Sequence, residues 1–160
     1  MPTDAQKFST GFYLRNDYGT HDSGCGVAAP PGTYNVGFNQ AGGGVFAMEW
    51  DPERKFIRGW NFVKPNIPSD INSPNPNPET WGMPMAYFPL GDNCTSDHFR
   101  NHTIVMDMAF CGGAANYIFP GGVNGCIDVA RNQPSAYSEA YWLFDYIKVF
   151  CKPGQNCIAQ

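Results

Sequence analysis

The sequence predicts an all-β protein, a two-sheet sandwich of jelly-roll type, on three observations. Glycine (18) and proline (14) are abundant, and charged residues make up only 15% of the 160, against about 25% in ordinary soluble domains. Side chains alternate with a period of two in several segments, as a pleated strand imposes, while helical periodicity is nearly absent. The stretches between are long and rich in proline, so they cannot enter a ladder.

Residues 45–50 place Phe46, Met48 and Trp50 on one face of a strand. A turn is expected over residues 51–54, where Asp51 and Pro52 break the pattern, and beyond it Phe56, Trp60 and Phe62 alternate with Ile57, Asn61 and Val63, completing a hairpin. Residues 65–84 hold six prolines. A connection of this length inside a compact domain is expected to lie across the sheet surface. Ile104, Met106, Met108 and Phe110 predict one face of another strand. Residues 142–150 are apolar on both faces, the mark of a strand inside a packed sheet, and residues 135–141 predict a single helical turn before it. The length suits one domain with its own core, with no internal repeat and no linker.

The net charge of −4 is spread along the chain without a basic run, which argues against nucleic acid as a partner. No apolar stretch approaches the ~20 residues of a membrane span. Six cysteines, Cys25, Cys94, Cys111, Cys126, Cys151 and Cys157, lack the paired spacing of a zinc ribbon and predict disulfides and an oxidising compartment. Two sequons, Asn93-Cys94-Thr95 and Asn101-His102-Thr103, agree with export. Residues 1–7 have neither a basic start nor an apolar stretch of signal-peptide type, so a secreted composition here implies a beginning that lies elsewhere.

Glycoside hydrolysis needs two carboxylates flanking the bond, which on a strand means acidic residues at even spacing. Glu49, Asp51 and Glu53 are close in sequence, but Asp51 is read as part of the turn, so no Glu-x-Asp is expected within a strand. The histidines are His21, His98 and His102, and no Gly-x-Ser-x-Gly elbow is present. Cys94, His98 and His102 are spaced by four and would share one face of a helix. Lacking a fourth ligand, they are read as a disulfide cysteine and two surface histidines, with neither metal nor cofactor expected. Gly42-Gly43-Gly44 has no following helix and lysine to make a phosphate loop, and reads as close strand packing or a turn. Trp60 is either an inward core residue or a flat platform for a sugar ring; Trp50, Trp81 and Trp142 are read as core.

Several segments together resemble a known family. They are residues 38–50 (Phe38-Asn39-Gln40 through Met48-Glu49-Trp50), Ile67-Pro68-Ser69-Asp70-Ile71, Trp81-Gly82-Met83-Pro84, His98-Phe99 with His102-Thr103-Ile104-Val105, and residues 132–137 leading into Ala140-Tyr141-Trp142 and Ile147-Lys148-Val149-Phe150. In order and spacing they resemble the C-terminal half of fungal-type glycoside hydrolase family 16, the laminarinase or endo-β-1,3(4)-glucanase group. The resemblance implies a concanavalin A-like β-jelly roll, here incomplete because its N-terminal strands are missing. It also implies secretion, a β-glucan partner, and retaining hydrolysis of β-1,3 or mixed-linked glucans.

In that family the catalytic glutamates belong to a Glu-x-Asp-x-x-Glu strand upstream of the matched region. The chain is therefore expected to carry no catalytic residue and to be inactive by itself. Where such enzymes show Cys-Gly-Asp-Trp-Ala-Gly, with a tryptophan lining the cleft, this sequence has Cys111-Gly112-Gly113-Ala114-Ala115-Asn116; Tyr117 is the candidate substitute. Asn39, Trp60 and Tyr117 are the carbohydrate-binding candidates.

The expected organisation is a non-family start over residues 1–17, the family-like region over 18–151 and a tail over 152–160. Cys25 would have its family partner upstream, leaving Cys151–Cys157 as the local bridge. Without its missing half the chain is expected to be unstable or to aggregate. A non-catalytic glucan-binding or structural module on the same fold is the competing expectation, favoured by the altered Gly113-Ala114 site. A disulfide-rich interaction protein is a third.

Overall fold

A computed structural model describes residues 12–14, 25–108, 110–113, 115–152 and 154, giving backbone alone for 12–14, 25, 26 and 117. The chain divides into two compact units, Met1–Arg100 and Asn101–Gln160. All described strands lie in the first.

Strand β1 (Phe12–Leu14) pairs antiparallel with β2 (Cys25–Val27). Helix α1 (Asn35–Gln40) follows and ends at Gly42 and Gly43, whose φ values of 81° and 84° are open to glycine without a Cβ clash. Gly44 then starts β3, where a Cβ would overlap the Phe62 carbonyl oxygen. The glycine run therefore supplies both the turn and the close strand packing expected of it.

β3 (Gly44–Asp51), β4 (Phe56–Val63) and β5 (Ala86–Pro89) form an antiparallel sheet in the order β3-β4-β5. The register pairs Ala47 with Trp60, Glu49 with Arg58 and Asp51 with Phe56. The hairpin is present as expected, with one correction: Asp51 is the last residue of β3, and the loop runs over residues 52–55. Asp-Pro is a turn signal, but the ladder outreaches it because Pro52, not Asp51, is the residue without an N–H to donate.

Alternation divides this sheet into two unlike faces. One carries Glu49, Asp51, Phe56 and Trp60, all buried. The other carries the stripe Phe46, Met48 and Trp50, exposed up to 74% at Met48, with Phe38 of α1 stacked on Phe46 at 4.8 Å. The proline-rich connection between β4 and β5 lies across the first face, as its length predicts. Trp81 meets Trp60 edge-on at 5.3 Å and Phe62 at 5.8 Å, and Trp60 Nε1 donates to the Gly82 carbonyl oxygen at 3.3 Å. Ile71, Ala86 and Leu90 complete the buried set of this unit.

The second unit is built on helices, contrary to the expectation that helix is nearly absent. α2 (Ala115–Ile118) precedes α3 (Gly122–Asn132), and Pro134–Tyr137 forms the expected single turn. α3 turns Val123, Cys126, Val129 and Ala130 inward at helical spacing. Cys111–Cys126 ties it to the preceding segment, and Phe110 meets Tyr137 edge-on at 4.6 Å.

The strands expected around 104–110 and over 142–150 are not formed; residues 104–108 and 142–150 are irregular and exposed. Their alternation is correct for strands, but a strand is stabilised by its neighbour's ladder, and among the described residues no strand ladder includes them. Among the described residues no helix is long and apolar enough to cross a membrane.

Candidate functional site

The densest chemistry lies on the buried face of the hairpin and grows from its register. Glu49 of β3 stands directly opposite Arg58 of β4, and Arg58 Nε donates to Glu49 Oε2 at 2.5 Å. In the loop, the Arg54 backbone N–H donates to Asp51 Oδ1 at 2.8 Å, the Asx arrangement that closes such a turn. This swings the guanidinium inward. Its Nε donates to Asp51 Oδ2 at 2.6 Å, Nη2 to Glu49 Oε1 at 3.2 Å and Nη1 to Glu79 Oε1 at 2.6 Å. Arg58 Nη2 reaches the same Glu79 oxygen at 2.6 Å. The two guanidiniums lie over the Phe56 ring, and Arg58 also over Trp60 at 5.0 Å.

Glu79 belongs to the proline-rich strap, on the 3-10 turn Pro78–Thr80 capped by Asn77. A second carboxylate, Asp70, holds the strap to itself: it accepts from the Asn77 backbone N–H at 2.7 Å and from Trp81 Nε1 at 2.8 Å. The hydrogen bonds from Arg54 and Arg58 hold the Glu79 carboxyl below its ordinary range, and Asp51 and Glu79 push the Arg54 guanidinium higher still. The Asn77 and Trp81 donors likewise lower Asp70.

A depressed carboxylate stabilises the fold fully above its unfolded pKa and loses that contribution as pH falls through the folded one. The strap should accordingly stay docked at pH 5 and release only below about pH 4, the ordinary carboxylate value. Amide exchange at Asn77 and Trp81 on acid titration checks this; release at pH 5 or above would refute it.

Glu49 and Asp51 require a correction, since both lie within β3 and form the Glu-x-Asp in a strand that was not expected. Glu49 is 8% exposed and Asp51 2%, and both are paired with guanidinium, whereas a glycosidase's general acid needs open access to the bond. Glu53 is exposed in the loop.

Of the carbohydrate candidates, Trp60 is 2% exposed with Arg58 and Trp81 against it, the inward of its two expected positions. Asn39 is exposed in the last turn of α1. Tyr117 lies in α2, its side chain outside the described residues. Asn39 and Trp60 belong to the first unit and Tyr117 to the second. Trp142, read as core, is exposed; its indole N–H donates to the Asp107 carbonyl oxygen, and its ring stacks on Phe144 at 5.7 Å.

Among the cysteines, Cys111 pairs with Cys126, and Cys151 is disulfide-bonded. The side chain of Cys25 and all of Cys157 are outside the described residues, and with Cys157 the expected Cys151–Cys157 bridge. Cys94 departs from expectation in being free and exposed: it sits in a tight Gly91–Cys94 turn, and Cys111, the next cysteine along, is bonded to Cys126. The helix that would align Cys94, His98 and His102 is not formed. Ser96–His98 is one 3-10 turn, residues 101–108 are irregular, and no three-residue metal cluster occurs among the described residues.

Sequence reading missed the clamp of Arg54, Arg58 and Glu79. The available signal was that Glu49 and Arg58 are equidistant from the loop at residues 52–55.

Comparison with known proteins assigns the family. Residues 3–150 match the sequence model described as XgeA-like, catalytic GH16 domain. The chain is similar to an endo-1,3(4)-beta-glucanase of Arthroderma benhamiae, 39% identical over 137 residues covering 81% of this chain and 30% of the relative. It is also similar to a probable glycosidase of Schizosaccharomyces pombe, 39% identical over 136 residues covering 82% and 32%. A solved GH family 16 beta-1,3-glucosyltransferase, described as elongating, superposes with a TM-score of 0.60 at 33% identity over 75% of this chain and 43% of that one. The chain thus spans about a third of the length of these two curated relatives. Its antiparallel sheets are part of the concanavalin A-like β-jelly-roll sandwich, and the chain belongs to glycoside hydrolase family 16.

Proposed function

We propose that the protein to which these residues belong acts on O-glycosyl bonds of β-1,3 or mixed-linked β-glucans, and that the 160 residues by themselves supply scaffold and not catalysis. Membership of glycoside hydrolase family 16 and the glucan-acting names of the relatives support the first half. The observation that carries the second is that Glu49 and Asp51, the Glu-x-Asp on a described strand, are buried and paired with guanidinium. Acid catalysis of glycoside cleavage needs a carboxyl that can reach the leaving oxygen, and the burial of these two opposes that.

Incubated with laminarin between pH 4 and pH 7, the chain should release no reducing ends. A longer chain with a Glu-x-Asp-x-x-Glu strand ahead of these residues should release them and lose that ability when either glutamate becomes glutamine. Reducing ends from the 160 residues alone would overturn the proposal.

Export to an oxidising compartment belongs to the same reading, supported by the Cys111–Cys126 bridge and the bonded Cys151. Recovery of the native protein from the culture medium, with these thiols blocked to alkylation, is the expected result.

The second reading, a non-catalytic glucan-binding module, is favoured by Gly113-Ala114 where the family's cleft carries Asp-Trp. It predicts retention on insoluble β-1,3-glucan without cleavage by the longer chain too, and absence of binding would remove it.

A further inference from the structure

Two Asn-x-Thr sequences occur, and their surroundings differ in a way that ranks them as modification sites. Asn101-His102-Thr103 is exposed at all three positions in an irregular stretch. Asn101 has φ of 55°, a left-handed conformation that asparagine tolerates better than other side chains, so its carboxamide stands on a bend. Neither the Asn101 carboxamide nor the Thr103 hydroxyl makes a side-chain hydrogen bond shown among the described residues.

Asn93-Cys94-Thr95 is exposed too, but tied down. Asn93 is at the tip of a turn closed by Gly91 N–H to the Cys94 carbonyl oxygen at 3.0 Å and Cys94 N–H to the Gly91 carbonyl oxygen at 3.1 Å. The Thr95 hydroxyl is 3.3 Å from His98 Nδ1. Transfer of a glycan to asparagine needs the acceptor segment to enter the transferase as a pliable chain and to offer the hydroxyl two residues on, which is why the sequon marks surface loops. Asn101 and Thr103, exposed in an irregular stretch, meet both requirements; residues 93–95 would first have to break a closed turn and release the Thr95 hydroxyl.

The geometry points to Asn101 as an N-glycosylation site, used in preference to Asn93. This rests on the export proposed above. In the reaction the Asn101 carboxamide nitrogen forms a bond to the anomeric carbon of an oligosaccharide carried on a polyprenyl diphosphate. The anomeric carbon–oxygen bond to the diphosphate breaks, the diphosphate leaves with the electron pair, and a base of the transferase takes the amide proton. The glycan would stand three residues before the exposed run Ile104, Val105 and Met106, where a bulky hydrophilic group opposes association of that segment.

The test uses the full chain behind a supplied, cleavable leader, translated with microsomal membranes, so entry to the lumen does not depend on how the natural protein is exported. Protease protection reports entry, and mobility before and after peptide-N-glycosidase reports the glycan. One discrete upward shift, erased by the glycosidase, is expected for the wild-type chain. It should be lost in Asn101→Gln and in Thr103→Ala and kept in Asn93→Gln. A protected but unshifted wild-type chain, or a shift lost only in Asn93→Gln, overturns the proposal. The export reading fails separately, if the natural protein, expressed without the supplied leader, stays inside the cell.

Discussion

Replacing Arg58 by alanine should destabilise the β3–β4 hairpin locally by about 3 kcal/mol, the low end of the range for removing one partner of a buried ion pair. Arg58 is joined to Glu49 at 2.5 Å and to Glu79 at 2.6 Å, so its loss leaves both of these carboxylates sharing Arg54 with Asp51. It also uncovers the Phe56 and Trp60 rings over which the guanidinium lies. At about 1.4 kcal/mol per factor of ten, amide protection in Phe56–Val63 should fall roughly a hundredfold by hydrogen exchange. The Trp81 amide should lose protection with it, because Glu79 connects the strap to the same guanidinium. Arg58→Lys keeps the charge but not the two-pronged geometry, and should recover only part of the loss. Glu53→Gln, on the exposed loop, should stay within about 0.5 kcal/mol. Unchanged protection in Arg58→Ala would mean that the clamp contributes nothing to the hairpin.

The hairpin was legible in the sequence because its signal is local: alternating residues on either side of a short loop. The clamp was not, since its third carboxylate arrives from a strap that leaves the sheet after Val63 and crosses back at residue 79. Asp51 shows the competing pull of two rules, a turn-forming dipeptide against a ladder that continues to its pair with Phe56. α3 was obscured by Gly121, Gly122 and Gly125, poor helix formers, although its inward residues keep helical spacing and Cys126 is bonded to Cys111. For residues 104–108 and 142–150 the pattern was read correctly and the structure not obtained, because alternation states which faces a strand would have and not whether a partner is present. The family segments were the most informative part of the sequence, and they tell little about which side chains touch sugar. Trp60, one of the carbohydrate-binding candidates, is covered by the strap.

The uncovered apolar surface carries the last prediction. Twenty-one large hydrophobic residues are exposed among the described residues, against seven hydrophobic residues that are buried. Each large apolar side chain left in water forgoes about 1.5–3 kcal/mol relative to burial, a large quantity beside a domain's net stability of about 5–15 kcal/mol. The exposure is organised: Phe46, Met48 and Trp50 line one face of β3, and residues 141–150 include Leu143 at 84% exposure. A sheet face of this kind is ordinarily covered by a second layer, and unpaired extended segments invite association with other chains. The chain by itself should therefore bind 1-anilinonaphthalene-8-sulfonate strongly, sediment as concentration-dependent oligomers and melt without a cooperative transition. A separately produced polypeptide of family 16 N-terminal strands should suppress the dye signal and restore a sharp transition. A soluble monomer that excludes the dye and unfolds cooperatively would show that these 160 residues need no second layer.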